Sequence, residues 1–483
     1  MNADNPGPAL PNRQIPYSEA FKAFIAEQWA PYPATLPQPN SAAAYTPARR
    51  AAVAAQFESD RLVIPAGGYK VRSNDCDNRF RPHSGFAHLT GLGEDFEPDA
   101  ALVLEGDRAT LYFHPRVDRT DPEFYSSAQY GEMWVGARPS LAEMASLAGL
   151  EVRDTAELAA RLAEPVAGRL RIVPGVDARL QRLVDALRGP DIEADKALEV
   201  ALSELRLVKD DFEVAEMERA CAATKAGFEA VIAGLPQAVA DGRGERWVEG
   251  LFGLYARHLG NGLGYDTIAA GAEHACTLHW IRNDGPLADG DLLLLDAGVE
   301  VESLYTADIT RTLPVSGHFS PTQRQVYQAV LDAQAAGIAA AKPGAKFADV
   351  HAAAIRVVAE NLADWGILPV SVEQTLAADG GQFRRWMVHG TSHHLGIDVH
   401  DCAQARYENY RGGELKPGMI ITVEPGIYLK STDLMVPPEL RGIGVRIEDD
   451  ILITEDGARV LSDAFPKTPD EVEAWIAEVQ LRR

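Results

Sequence analysis

Apolar residues recur at helical spacing through SEAFKAFIAEQW (18–29), and Ser18 stands where it would cap an amphipathic helix. The next stretch, PYPATLPQPNSAAAYTP, is rich in proline and reads as an extended connector. From about 47 to 200 the period changes. Short apolar runs (RLVIPAG, DAALVLEG, ATLYFHP, LRIVPGVD) alternate with Ala/Leu-rich helical stretches, which predicts an α/β domain. A charged segment, ALSELRLVKDDFEVAEMERACAATKAGFEAVIAG, starts near Ala201, keeps apolar positions at helical spacing and opens a second domain. Beyond it, 290–315, 418–429 (GMIITVEPGIYL) and 442–457 (GIGVRIEDDILITEDG) each predict two strands joined by a turn. Asp296 with Asp308, and Glu424 with Glu448, sit among apolar neighbours there, as if two similar halves faced each other across a shared sheet. No low-complexity segment or solenoid repeat is present.

Composition narrows the classes. A chain of 483 residues is too long for one compact core, so two domains are expected. The 46 basic and 70 acidic residues give a net charge of −24, which argues against a nucleic-acid partner. Cys76, Cys221, Cys276 and Cys402 show no CxxC spacing, so neither a disulfide framework nor a thiolate zinc site is expected, and a reducing cytosol fits. The opening residues lack the basic-then-apolar order of a signal peptide, and no run approaches the roughly 18 apolar residues that span a bilayer. The expectation is a cytoplasmic protein without membrane contact.

An acid inside an apolar strand is costly unless it is paired, protonated or bound to a metal. Asp296 follows four leucines, Glu424 follows ITV and Glu448 follows VRI. A lone case would read as a strand end in water; three in one domain, with Asp308 added, point to chemistry. The segment VHGTSHHLGIDVHD (388–401) adds four of the chain's twelve histidines. Four carboxylates and one imidazole make a plausible ligand set for two divalent ions, since carboxylates bridge and neutralise them. Such paired ions are suited to hydrolysis. His389 and His393 have the spacing of a zinc-protease helix, but Gly390, Thr391 and Ser392 between them supply neither the glutamate base nor helix propensity.

LLLLDAGVE, YTADITRT, HGTSHHLGIDVHD, LKPGMIITVEPGIY and GVRIEDD, in this order over roughly 204–466, resemble the proline-specific pita-bread metallopeptidases, aminopeptidase P and prolidase. RSNDCDNRFRPHSGFAHLTGLGEDFEPDAALVL (72–104) is similar to a segment of the aminopeptidase P N-terminal domain. The resemblance implies an α/β (α+β) fold: a helix and linker over 1–46, a smaller N-terminal α/β domain over 47–203, and a pita-bread catalytic domain over 204–483. It implies Asp296, Asp308, His393, Glu424 and Glu448 as metal ligands, with Asp308 and Glu448 bridging. Glu424 would also move the proton. His279, His389 and His400 would hold substrate and stabilise the oxyanion, with Tyr428 and Arg446 beside the cleft. Trp134, in GEMWVGARP, resembles a tryptophan that reaches a neighbouring subunit's active site, or is an ordinary core aromatic. His394 has no counterpart and reads as structural.

The implied activity is that of an Xaa-Pro aminopeptidase using two divalent ions, manganese first, with cobalt or zinc as substitutes. Its partners would be proline-containing peptides and other copies of itself, as a homodimer or homotetramer. Prolidase, restricted to Xaa-Pro dipeptides, uses the same five ligands and is the alternative. Methionine aminopeptidase does not need so large an N-terminal domain. A non-catalytic peptide-binding module on this fold would be expected to lack the ligands.

Overall fold

The computed structural model describes residues 17–74, 76–94 and 98–482. Residues 1–16, which carry most of the signal-peptide reading, and 95–97 of the N-terminal motif lie outside the described residues. The chain forms two compact units, one ending at Leu202 and one beginning at Ser203.

In the first unit the Ser18 hydroxyl caps helix Glu19–Ile25 by accepting from the Phe21 N–H at 3.2 Å. That helix is shorter than the 18–29 periodicity predicts. It ends at Ala26, and Gln28 takes a positive φ of 59°. The apolar runs become strands β1 (Arg61–Pro65), β2 (Ala101–Glu105), β3 (Arg108–Phe113) and β5 (Leu170–Ile172); β4 is Glu151–Asp154. Their order is β4-β3-β2-β1-β5, antiparallel where β2 meets its neighbours and parallel at β3/β4 and β1/β5. Val63, Val103, Leu162 and Val184 pack in the core beside this sheet. Arg61 is buried at the start of β1, bonded to Glu105 at 2.9 Å, and its Nη1 donates to the Glu164 carbonyl at 2.8 Å, just past helix Leu158–Ala163. A buried charge is tolerable there because every face of it finds a partner.

The second unit opens with helix Asp211–Asp241, whose Asp210 and Glu213 form a reciprocal capping box. It packs on helix Gly244–Leu259, and helix Pro321–Ala340 packs on Phe347–Asp364. Strands β6 (Ile268–Gly271), β7 (Leu292–Ala297) and β8 (Ile309–Pro314) form an antiparallel sheet in the order β8-β7-β6. The hairpin predicted over 290–315 is therefore present. Gly298 is required in it, because a Cβ there would lie 1.7 Å from the Ala307 carbonyl oxygen.

The other two predicted hairpins fold differently. β9 (Ile420–Val423) and β10 (Gly426–Leu429) do not pair with each other; β9 pairs with β12 (Asp449–Ile453) and β10 with β11 (Ile443–Arg446). β12 also pairs with β13 (Ala458–Val460). The two motifs are thus the arms of one long antiparallel ribbon, broken at 424–425 and 447–448. Pro425 has no N–H to offer a ladder, so the break falls where the acids lie. Helix Pro321–Ala340 closes on this ribbon through Gly337, where a Cβ would meet Val423 at 2.9 Å.

Candidate active site

Each acid stands at an end or break of a strand. Asp296 is in β7 opposite Thr310, Asp308 immediately precedes β8, Glu424 follows β9 and Glu448 precedes β12. The two sheets are stitched together there. The Glu448 N–H donates to the Thr310 carbonyl at 3.1 Å, and the Thr312 hydroxyl donates to the Arg446 carbonyl at 3.0 Å. His393 is tied to the ribbon by its own N–H, which donates to the Thr422 hydroxyl at 3.1 Å.

The side chains converge. His393 Nε2 lies 3.2 Å from Asp308 and 3.7 Å from Glu424, while its Nδ1 points at the His394 carbonyl at 3.2 Å. With Nδ1 donating to that carbonyl, Nε2 is the nitrogen that faces the acids, and it would offer its lone pair to a cation that displaced its proton. One donor atom each from Asp308, His393 and Glu448 lies within 4.8 Å of the others. The Glu448 carboxylate also accepts from the Thr310 hydroxyl at 2.6 Å.

The electrostatics fit cations. Burial raises the carboxyl pKa of Asp296, Glu424 and Glu448, and repulsion from Asp308, with that of Asp296 on both glutamates, adds to it; Glu424 reaches about 8. Arg446 and His393 pull the other way without cancelling the effect. For His393, burial opposes the charged form, but the hydrogen bond and charge of Asp308, with Glu424, lift it to about 9. Such a cluster takes up protons unless something positive replaces them. Oxygen donors with one imidazole are the donor set of divalent cations, so the residues fit the group.

Around this cluster opens a cavity of about 770 Å³, lined among others by His279, His389, His400 and Arg446. His400 meets His393 edge-on with ring centroids 4.4 Å apart. His389 Nε2 lies 2.7 Å from the Tyr428 hydroxyl, which accepts from Arg446 Nη1 at 3.0 Å; Arg446 also binds Asp296. Burial and the adjacent Arg446 charge lower the His389 pKa to about 3, so its ring is neutral. His394 turns away. It stacks on Phe347 with centroids 5.3 Å apart, and its Nδ1 finds no hydrogen-bond partner among the described residues. Trp134 belongs to the first unit, on the short helix Glu132–Val135, half-exposed, with its indole N–H on the Tyr125 carbonyl at 2.8 Å.

Sequence reading missed several participants. Tyr265 Oη lies 2.7 Å from Asp296 Oδ1 and 2.5 Å from Asp308 Oδ1, between the two acids. Nothing in NGLGYDTIAAG marks it. Thr391 is buried between His389 and His393 in the chain, and its carbonyl accepts the Glu424 N–H at 2.8 Å. Asp450 accepts the Asp308 N–H at 3.3 Å. The pair of acids after Glu448 was the available signal for that last contact.

Residues 215–455 match the model of metallopeptidase family M24, and 46–173 match that of the aminopeptidase P N-terminal domain. The chain belongs to metallopeptidase family M24. Within it, the chain is 52% identical over 448 residues to Xaa-Pro aminopeptidase 1 of Streptomyces coelicolor, covering 92% of this chain and 89% of that protein. It is 50% identical over 465 residues to Xaa-Pro aminopeptidase 2 of the same organism, covering 95% and 96%. Its structure resembles Escherichia coli aminopeptidase P with the inhibitor Pro-Leu, with a TM-score of 0.79, 30% identity, and coverage of 92% of this chain and all of that one.

Proposed function

We propose that this chain is an Xaa-Pro aminopeptidase, which hydrolyses the bond between an N-terminal residue and a following proline. The observation that carries the reading is the convergence of Asp296, Asp308, His393, Glu424 and Glu448 on one cavity, with three of the four carboxyls held above their ordinary pKa. The names of the two Streptomyces relatives support it. These five residues would hold two divalent ions; the oxygen-rich set favours manganese, with cobalt or zinc able to substitute. When bound, ions of this kind acidify water and polarise a carbonyl.

The chain's own groups do the rest. Glu424 takes a proton from the attacking water as its oxygen bonds to the carbonyl carbon, and returns one to the proline nitrogen as the C–N bond breaks. Its N–H bond to Thr391 holds the backbone of the carboxylate that makes this transfer. His389 is kept neutral and held by Tyr428, so it faces the substrate with a fixed ring, and His400 lines the same cavity to offset charge on the tetrahedral oxygen. Arg446 locks Asp296 and Tyr428 together. Proline lacks an N–H, so recognition falls to shape, for which His279 with Leu278 and Ile281 offers a partly apolar wall.

The segments 47–203 and 204–483 serve in this reading as N-terminal and catalytic domains. Met133, Trp134 and Val135 are exposed in succession, which suits a contact with another copy in a homodimer or homotetramer. Cys76, Cys221, Cys276 and Cys402 are all free, which suits the cytoplasm. No helix among the described residues is long and apolar enough to cross a membrane.

Product analysis of manganese-loaded enzyme on Ala-Pro-Ala and Ala-Pro tests the reading. Alanine release from the tripeptide, lost in Asp296→Asn, is expected. Cleavage of the dipeptide alone would make the enzyme a prolidase, and cleavage of neither would overturn the assignment.

A further inference from the structure

A second cavity, of about 620 Å³, lies between helix Phe347–Asp364 and segment 375–384, and shares no residue with the first. It has the size of a small-molecule site. Its lining contains no Asp or Glu, although the chain has 70 of them, yet includes His351, Arg356 and Arg384.

The three differ in how far they are committed. Arg356 is bound to Glu373 at 3.1 Å. Arg384 has no carboxylate partner among the described residues; its guanidinium lies over the Phe383 ring, 5.3 Å from the centroid. His351 Nδ1 lies 2.8 Å from the Thr391 hydroxyl, and no group among the described residues bonds its Nε2. Burial, with the Arg384 charge, lowers the His351 pKa, so the ring is neutral. Either group can donate in that contact; when the Thr391 hydroxyl donates to Nδ1, the N–H is on Nε2.

One cationic fork and one N–H, with Ile355, Leu376 and Phe383 beside them, select an anion with a hydrocarbon body. A free amino acid fits poorly, because its ammonium would find no acid in the lining. We propose that this cavity is a binding site for a small aliphatic carboxylate without an amine, its oxygens on Arg384 and His351 Nε2 and its chain against Ile355, Leu376 and Phe383. The carboxylate can belong to a free organic acid or to the C-terminus of a peptide.

Calorimetric titration of the full-length protein with hexanoate tests this. Saturable binding is expected, at least about tenfold weaker in Arg384→Ala and for 1-hexanol or 2-aminohexanoate. Arg384 is exposed on a short 3₁₀ turn, and Arg384→Gln provides a second variant with the length kept. Tighter binding of N-acetyl-alanyl-leucine than of hexanoate would assign the site to peptide C-termini, and the reverse to free acids. Hexanoate binding left unchanged in both Arg384 variants would place it elsewhere, on the metal-ligand cavity included, and overturn the proposal. Absence of binding to the unaltered protein would do the same.

Discussion

Glu448 and Asp449 are consecutive, equally buried acids on the two sides of one ribbon. Asp449 faces Arg311 at 2.7 Å, Lys467 at 3.0 Å and the Ser462 hydroxyl at 2.7 Å. Burial works against its charge, but these cations outweigh it and its pKa falls. Glu448 faces Asp308 and Glu424 instead, and its pKa rises. Burial is common to both; compensation is not. One acid is already neutralised by cations bonded to it and belongs to the scaffold, while the other is outweighed by its acidic neighbours despite the pull of Arg446, which is why the proposed reading places it among the metal-holding groups.

Breaking the compensated side should have the largest effect on folding. Arg311→Met removes the fully buried cation from Asp449 and leaves it only Lys467, Ser462 and Gln334, and should lower stability by about 3–5 kcal/mol in denaturant unfolding. The uncompensated side should respond to pH in metal-free protein. Glu424 has a folded pKa of about 8 against 4.5 in the unfolded chain, so the native state holds the extra proton between these values. Stability of the metal-free protein should therefore rise as pH falls from 8 to 5, by about 2 kcal/mol once access of solvent through the cavity is allowed for. Divalent ions should raise the melting temperature and flatten that slope. A slope of the opposite sign would sink the comparison.

Tyr265→Phe removes the hydroxyl between Asp296 and Asp308. It should lower metal affinity or kcat by about tenfold while leaving the unfolding midpoint of metal-free protein nearly unchanged. The smallest effect should come from a compensated acid near the surface. Glu204 is held at about 2, first by its hydrogen bond to Arg406, and the pair is 2.7 Å apart. Glu204→Gln should cost about 1 kcal/mol at pH 7, a figure reduced for solvent screening. Because the folded pKa is depressed, that difference should persist above 4.5 and vanish as pH falls towards 2.

The strands around the acids were legible in the sequence because four leucines before Asp296 and the ITV before Glu424 leave little doubt about burial. The same runs gave no hint of their partners. β9 and β10 read as a hairpin, but pair with strands beyond residue 442, since apolar alternation specifies a face and not a neighbour. The candidate ligands could be named from motifs, whereas Tyr265, Thr391 and Asp450 could not, because a tyrosine or threonine acquires its task only from what lies across from it.

Local chemistry along the chain was enough to mark buried acids, clustered histidines, two domains and the order of strands and helices. These follow from hydrophobic period, capping residues and the cost of burying charge, which act within a few residues. Tertiary structure alone decided that Glu448 looks into the cavity and Asp449 away from it, and that His393 faces the acids while His394 packs on Phe347. Those outcomes depend on strand pairing and on hydrogen bonds between residues as distant as Asp308 and Asp450, 142 positions apart. No local pattern encodes them, because the energy that sets each one exists only after the chain has brought both partners together.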